Sequence, residues 1–350
     1  MDTNNIIKLF NSHLQPLDYK KVYRSNLISP YFVGEFNLSG AHDHLIPAIQ
    51  SKEKVDIDSI SVVDLVMRKV DAEIVGISNS HLLLFEMGVF GSFGYIDNVE
   101  DVEQKQLEIL FSFFEKIGIR RNSVYITVSD GGDFNGEHFD TDYSTIEILK
   151  KLGIGESKII RTKGRRNFMF SQGIDRLAGY NIEFFIKKND EFLEIASSNI
   201  YEYLNKLNRL EKTINSGVGC GIGFERLSYA VSEFSTIYEV EPYRTIAEAV
   251  VQLIGSRLNF EIIRGKIFRL IELTKTIIFL ANDGVRFNKT PQGRAFKRYI
   301  AKVNSELTYI NFDKRLFFEI VLNGIAEYYS ERYTIKEEAI ALIISKLNSG

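Results

Sequence analysis

Between residues 216 and 223 every second position is glycine, in the order SGVGCGIG, and the chain then runs directly into FERLSYA. Successive side chains of a strand point to opposite faces. Gly217, Gly219, Gly221 and Gly223 therefore leave one face of such a strand bare. A backbone exposed in this way can lie flush against a flat ligand or against another backbone. The helix that opens at Phe224 sets a partial positive charge at the strand's end, and Arg226 adds a full one. Such a strand-to-helix passage suits a nucleotide. The glycines alone do not decide the matter. Patterns of this kind are common, and a glycine-rich strand packed on a neighbour, with Glu225 and Arg226 solvated on the first helical turn, is the plainer reading.

Composition removes several alternatives. With 350 residues, 45% hydrophobic and 25% charged, the chain can bury one large core or two smaller ones. Its 43 Lys and Arg against 46 Asp and Glu give a net charge of −3, so any contact with RNA has to come from local patches. The opening MDTNNIIKLFNSHLQ carries an early acid and no uninterrupted apolar stretch, and no later run approaches the roughly 20 apolar residues that span a bilayer. The expectation is a cytoplasmic chain with no membrane contact. Cys220 is the single cysteine, which excludes an internal disulfide and a zinc site of paired thiolates, so no zinc is expected. His42 and His44, in GAHDHL, have no third ligand at useful spacing and read as a turn or helix entry.

Helical spacing of apolar residues covers 1–15 and 103–117, where Leu107, Leu110, Phe111 and Phe114 share a face and Gly118 stands at the C-terminal stop. SVYITVSD (123–130) alternates as a strand, and YSTIEILKKLGIG (143–155) returns to helix. NIEFFIKK (181–188) and EFLEIASSNIYEYL (191–204) read as two strands joined at Asn189 and Asp190. From about 245 the period is helical throughout, in AEAVVQLIGSRL, KIFRLIELTKTIIFLAND, RAFKRYIAKV, RLFFEIVLNGIAEYY and KEEAIALIISKL. The expected organisation is an α+β region over 1–245 and an all-helical region over 246–350, packed together.

Two further stretches carry chemistry. LLLFEMGVFGSFGYI (82–96) sets Glu86 on an apolar strand, followed in this reading by a glycine-rich turn that ends in Phe93 and Gly94. A carboxylate there can hold an amine, and an aromatic face can stack a base. VVDLVMRKVD (62–71) places Arg68 in an apolar, strand-like run, where a guanidinium is costly without an anionic partner. Taken singly, Phe93 reads as core and Glu86 as the structural partner of Arg68.

Taken in order, these stretches resemble the class II aminoacyl-tRNA synthetases, and among them the alanyl-tRNA synthetases. SNLISPYFVGEFNLSGAHDHLIPAI (25–49) is similar to that family's opening, FEMGVFGSFG (85–94) to its FEMLGNFSFG, and NSVYITVSDGGD (122–133) to the strand and acidic turn that follow. NFMF…AGYNIEFF (167–185) stands where the family has NFW…CGPCSEI, and FLEIASSNIYEY (192–203) where it has YIEIWNLVF. GIGFERL (221–227) matches GMGLERL almost letter for letter, and NDGVRFNKTPQGRAFKRYI (282–300) is loosely similar to a stretch of the helical half.

The resemblance implies a class II antiparallel sheet flanked by helices, followed by a helical domain like the family's tRNA-recognition region, with no editing or C-terminal domain. It implies ATP and Mg2+ as cofactors, activation of a carboxylate as acyl-AMP, and transfer to an acceptor, with tRNA ahead of an amine or thiol. Arg68 would hold the α-phosphate, and Arg226 the far end of ATP above Gly221 and Gly223. Phe93 would stack adenine, Glu86 would bond its exocyclic amine, and Glu194 would bind magnesium. Met169, Glu183, Asn199, Gly219 and Cys220 would line the substrate pocket. Such an enzyme needs positioning and charge neutralisation rather than a nucleophile.

The departures bear on the substrate. Where the family has a Trp after NF and an acid in VDTG, this chain has Met169 and Gly219, with Cys220 in place of Thr. A buried ammonium facing no carboxylate is strongly disfavoured. Either Glu183 or Glu194 takes it, or the substrate is another amino acid or a carboxylate without an α-amino group. The contrasting class of function is a non-catalytic nucleotide-binding paralogue. Oligomeric state stays open.

Overall fold

Strand and helix signals in the sequence resolve into one nine-stranded sheet, a separate two-stranded ladder within 132–139, and helices around them. The computed structural model describes residues 1–31, 34–171, 175–254 and 260–347. Its strands in chain order are β1 (Lys20–Lys21), β2 (Asp58–Met67), β3 (Leu84–Gly94), β4 (Tyr125–Ser129), β5 (Gly132–Phe134), β6 (Glu137–Phe139), β7 (Ile159–Thr162), β8 (Phe168–Phe170), β9 (Arg176–Lys188), β10 (Glu191–Lys206) and β11 (Arg209–Gly223). The main sheet runs β1-β2-β3-β11-β10-β9-β4-β7, with β8 paired to β9. Its central pairs are antiparallel, while β1–β2 and β4–β7 at the edges are parallel. This is the expected α+β class.

The helices are α1 (Thr3–Leu14), α2 (His42–Gln50), α3 (Val99–Lys116), α4 (Tyr143–Lys151), α5 (Phe224–Ala230), α6 (Tyr243–Ile254), α7 (Phe260–Asn282), α8 (Pro291–Tyr309), α9 (Lys314–Tyr329) and α10 (Glu337–Leu347). Their ends follow local chemistry. Asn98 accepts from the amides of Glu100 and Asp101 to start α3, and Gly118, at φ +89°, receives its C-terminus. Thr290 caps α8 ahead of Pro291. Asn189 and Asp190 turn the β9–β10 hairpin with φ of 49° and 64°, the two left-handed residues of a type I′ turn. His42 and His44 fall in the first turn of α2, as the sequence indicated. No helix among the described residues is long and apolar enough to cross a membrane.

One expectation changes here. The stretch 82–96 contains no turn after Glu86, because β3 is continuous from Leu84 to Gly94 and pairs with both β2 and β11. Its glycines serve close packing instead. A Cβ on Gly88 would stand 2.4 Å from the Phe224 ring, and one on Gly91 would stand 2.7 Å from the Val218 carbonyl oxygen.

Strand alternation separates the two faces of the sheet. Phe90, Cys220 and Ile222 join the main core with Phe10 of α1, Leu107 and Leu110 of α3, and the apolar residues of α6 to α10. On the other face, Val89, Phe93 and Tyr201 form a smaller cluster under Ile46 and Ile49 of α2. The helical region thus shares one core with the back of the sheet.

A buried polar network stitches the two regions together. Glu272 on α7 accepts from the amides of Leu83 and Leu84 at 2.8 and 2.7 Å and from the Tyr243 hydroxyl at 2.6 Å. Lys275 lies 2.9 Å from Glu272 and donates to the Leu84 carbonyl at 2.5 Å and to the Tyr243 hydroxyl. Arg332 grips Glu86 with two hydrogen bonds of 2.7 and 3.0 Å, and Tyr333 adds a third at 3.0 Å. Removing one member of such a buried pair strands its partner's charge and costs about 3–5 kcal/mol. Lys275→Met is expected to lower the unfolding free energy by that amount in urea titrations; a loss under about 1 kcal/mol would show that the pair does not hold the regions together.

Candidate active site

The bare face of β11 ends at α5, and there the two charged residues of FERL part company. Glu225 turns into the core, 1% exposed, and accepts from the Glu86 amide at 3.1 Å through both oxygens. Burial, then the neighbouring Glu86, pushes its carboxyl well above the usual range. Arg226 turns to the opposite side, where Nη1 lies 3.1 Å from Glu194 Oε2 on β10 and Nε donates to the Ser80 carbonyl at 3.4 Å. Neither residue is solvated on an open helical turn.

Arg68 is the first residue after β2, at the same end of the sheet. Its amide donates to the Leu83 carbonyl at 2.8 Å, and its Nε stands 3.1 Å from Asp71 Oδ2 without the alignment of a hydrogen bond. His81 Nδ1 shares a hydrogen bond of 2.6 Å with the Ser78 hydroxyl, and the ring feels the charge of both arginines. Burial lowers its pKa first, Arg226 and Arg68 lower it further, and Asp71 and Glu194 oppose them. Two guanidinium groups, an imidazole and two carboxylates therefore converge on the end of β3 and β11.

The four glycines divide between packing and site. A Cβ on Gly217 would meet Ile49 of α2 at 2.7 Å, so that glycine serves the helix above it. Gly219 faces Gly91 across the ladder, where the strands approach closely. Gly221 and Gly223 lie nearest the charged end: a Cβ on Gly221 would come to 3.3 Å from Met87 Sδ and 3.5 Å from Ser197 Oγ, and one on Gly223 would project beside Arg226.

Across β10 and β9 the same face carries polar residues. Ser197 pairs with Gly221 and Glu183, and Asn199 with Gly219 and Asn181. Glu183 stands 3.7 Å from Arg166 and accepts from Thr127 at 3.5 Å. Burial and the nearby Glu194 raise its pKa. Met169 on β8 takes a weak hydrogen bond from the Tyr201 hydroxyl at 3.8 Å and borders the apolar cluster beneath α2.

Three expected site residues lie elsewhere. Glu86 faces the back of the sheet, fully buried and gripped by Arg332 and Tyr333, so it cannot hold an adenine amine. It does not pair with Arg68 either, whose acid is Asp71. Phe93 is on the correct face but lies far along β3 in the cluster under α2, 7% exposed, where no base can stack. Cys220 points into the main core, and burial pushes its thiol up to about 12.

A family model described as tRNA synthetases class II (A) matches residues 44–347. The chain belongs to that family. An alanine–tRNA ligase of Leptospira biflexa is 21% identical over 297 residues, covering 78% of this chain and 30% of its own length. An alanine–tRNA ligase of Borrelia hermsii is 22% identical over 343 residues, covering 91% of this chain and 53% of its own. One of Chlamydia caviae is 25% identical over 268 residues, covering 71% and 28%. The chain thus spans about 30% of the length of the first of these relatives. Among solved structures, the RNA binding domain of threonyl-tRNA synthetase from Cryptosporidium parvum Iowa II is similar with a TM-score of 0.45 and 12% identity, over 65% of this chain and 63% of that one. An ATP phosphoribosyltransferase regulatory subunit/histidyl-tRNA synthetase from Bacillus halodurans C gives 0.39 and 10%, over 66% and 79%.

In this class II chain the residues present fit the phosphate end of a nucleotide. Arg68 Nε is a buried donor without a hydrogen-bond acceptor, and the strand beside Arg226 lacks a side chain at Gly223. For magnesium, Glu194 and Glu183 supply a carboxylate pair, and no group of three or more acids, histidines or cysteines among the described residues forms a cage. Magnesium characteristically uses one or two carboxylates plus substrate phosphates. Sequence reasoning missed His81, Asp71, Arg166, Ser197 and Asn181. Their signals were slight, since a lone histidine before LLLF and a basic GRRN run look like ordinary surface.

Glu183 provides a test of this electrostatic picture. An acid whose folded pKa lies above its unfolded value keeps an extra proton in the folded state, so its stabilisation is present at low pH and lost as the pH rises through the folded pKa. Glu183→Gln is expected to lose less stability than wild type between pH 4 and pH 8 in urea titrations. Parallel curves for the two proteins would rule out a raised Glu183 pKa.

Proposed function

We propose that the chain is an ATP-dependent, adenylate-forming ligase that activates a small carboxylate or amino acid and passes the acyl group to tRNA. The observation that carries this reading is the convergence of Arg68, His81 and Arg226 over the bare end of β11, with Glu194 alongside. In this reading Arg68 neutralises charge on the α-phosphate as the carboxylate attacks, and Arg226 leaves Glu194 to hold the terminal phosphates. Magnesium, when bound with Glu194, would screen the phosphate charge. A hollow of about 30 Å3 beside Gly219, lined by Val89, Gly91, Phe93 and Tyr201, favours a small side chain.

The helical region supports an RNA acceptor. It is joined to the segment that follows Arg68: Lys302 on α8 lies 3.1 Å from Glu73, and Arg269 on α7 donates to the Val75 carbonyl at 2.9 Å. Arg294, Lys297 and Arg298 stand exposed on α8. Phosphates bound there would lie on an element tied to the catalytic segment. In this reading residues 1–245 form the catalytic unit and 246–350 the acceptor-binding unit.

ATP–pyrophosphate exchange across a panel of amino acids and short carboxylates tests the first step, followed by transfer to purified tRNA. At least one acid is expected to support exchange, and Arg226→Ala is expected to slow it by about 100-fold or more with an unchanged circular dichroism spectrum. ATP binding without exchange for any acid would replace the enzyme by a nucleotide-binding module. Exchange without tRNA labelling would point to an amine or thiol acceptor instead.

A further inference from the structure

A cavity of about 460 Å3 opens where the start of β4 and the end of β9 meet the chain leaving α3 and α5, and no residue of the candidate active site lines it. Its floor is apolar. Ile119 and Ile186 are 5% and 8% exposed, and Val231 packs against the same core. A Cβ on Gly118 would meet nothing within 4 Å, so the lip above this floor is open. Around it stand three cations. Arg120, Lys158 and Lys187 line the cavity, no acid does, and none of the three has an ion-pair partner among the described residues. Two of them crowd one ring: Lys158 Nζ lies 3.6 Å from the centre of the Tyr125 ring and Lys187 Nζ 5.9 Å from it, while Phe192 meets the same ring at 4.9 Å in a T-shaped contact. The ring attracts each ammonium, but the two ammoniums repel one another. The Tyr125 hydroxyl registers this potential, since the hydrogen bond from Lys158 and then the charges of Lys158 and Lys187 hold its pKa below the usual value. Arg24 and Arg332, by contrast, are each matched by a buried acid, Asp283 and Glu86.

We propose that this cavity binds a phosphomonoester with a small apolar or aromatic body, at a site separate from the nucleotide end of β11 and independent of the adenylation reading. Charge counting selects phosphate. A phosphomonoester brings close to two negative charges and three acceptor oxygens to the three cations, whereas a carboxylate brings one charge and two oxygens. Lys158 and Lys187 serve as point charges on the phosphate, and Arg120 can offer two parallel donors. The floor selects an ester over a bare ion, because Ile119, Ile186 and Val231 give an apolar body a surface to leave water for. Both faces of the Tyr125 ring are engaged by Lys158 and Phe192 rather than offered to a stacked base, so the ring orients the cations and the floor takes the body.

Phenyl phosphate, inorganic phosphate and phenol separate the two contributions when titrated into the full chain by calorimetry at low ionic strength. Phenyl phosphate is expected to bind at a single site about 10-fold more tightly than inorganic phosphate, from burial of its ring, and phenol to show no saturable binding. Arg120 and Lys187 are exposed, so Arg120→Gln and Lys187→Gln are expected to keep the thermal unfolding midpoint of wild type while each weakens phenyl phosphate about 5-fold or more. Arg226→Ala is expected to leave that binding unchanged, which separates this cavity from the candidate active site. Absence of phenyl phosphate binding, equal affinity for phenyl phosphate and inorganic phosphate, binding that survives Arg120→Gln and Lys187→Gln combined, or binding lost in Arg226→Ala each overturns the assignment. A single-stranded oligonucleotide that binds through Arg120 and Lys187 where phenyl phosphate does not would overturn it as well and make the patch a nucleic-acid surface.

Discussion

The buried ion pairs behind the sheet set the position of everything in front of it. Glu272 and Lys275 on α7 take up the amides of Leu83 and Leu84 and the carbonyl of Leu84, and Arg332 takes up Glu86 two residues later. Those contacts fix β3 at its charged end. Glu225 then binds the Glu86 amide, which seats the first turn of α5. Because Glu225 and Arg226 are neighbours on one helical turn, anchoring the first inward aims the second outward at Glu194. Desolvating this many charges is expensive, and they persist because each has a geometrically satisfied partner.

The bare face of β11 carries two different economies of space. Near α2 the missing side chains admit Ile49 and allow β3 and β11 to approach, which is packing. Near α5 they leave the strand without side chains beside Arg226, at the candidate site. The plainer explanation for the glycines therefore holds at one end of the strand, and the proposed ligand contact lies at the other.

How much of this was legible follows from what each signal depends on. The helices, the hairpin at Asn189 and Asp190, and the passage from β11 into α5 depend on local period and turn chemistry, and they appear where the sequence places them among the described residues; the end of AEAVVQLIGSRL, 255–258, lies outside those. Arg68, Arg226, Glu194 and Glu183 also meet on one face, since a motif spacing and a strand alternation fix their direction. Glu86 and Cys220 were misplaced because the side of the sheet they occupy depends on strand pairing and on partners such as Arg332, 246 residues from Glu86 in sequence. Phe93 keeps the expected face but lies too far along a β3 that runs on without a turn. His81, Arg166 and Asn181 gain their meaning only from neighbours brought in by pairing, which no local pattern announces.

The change of periodicity near 245 does not coincide with a change in burial. Gly76 and Gly265 meet backbone to backbone, so close that a Cβ on either would collide with the other's carbonyl oxygen, and the core runs on without interruption from β3 to α10. Cutting the chain at that point would leave Leu83, Leu84 and Glu86 facing water with unpaired polar groups. The two regions thus share one folding unit, and a shift of the segment from Glu73 to Gly76 would move its contacts on α7 and α8.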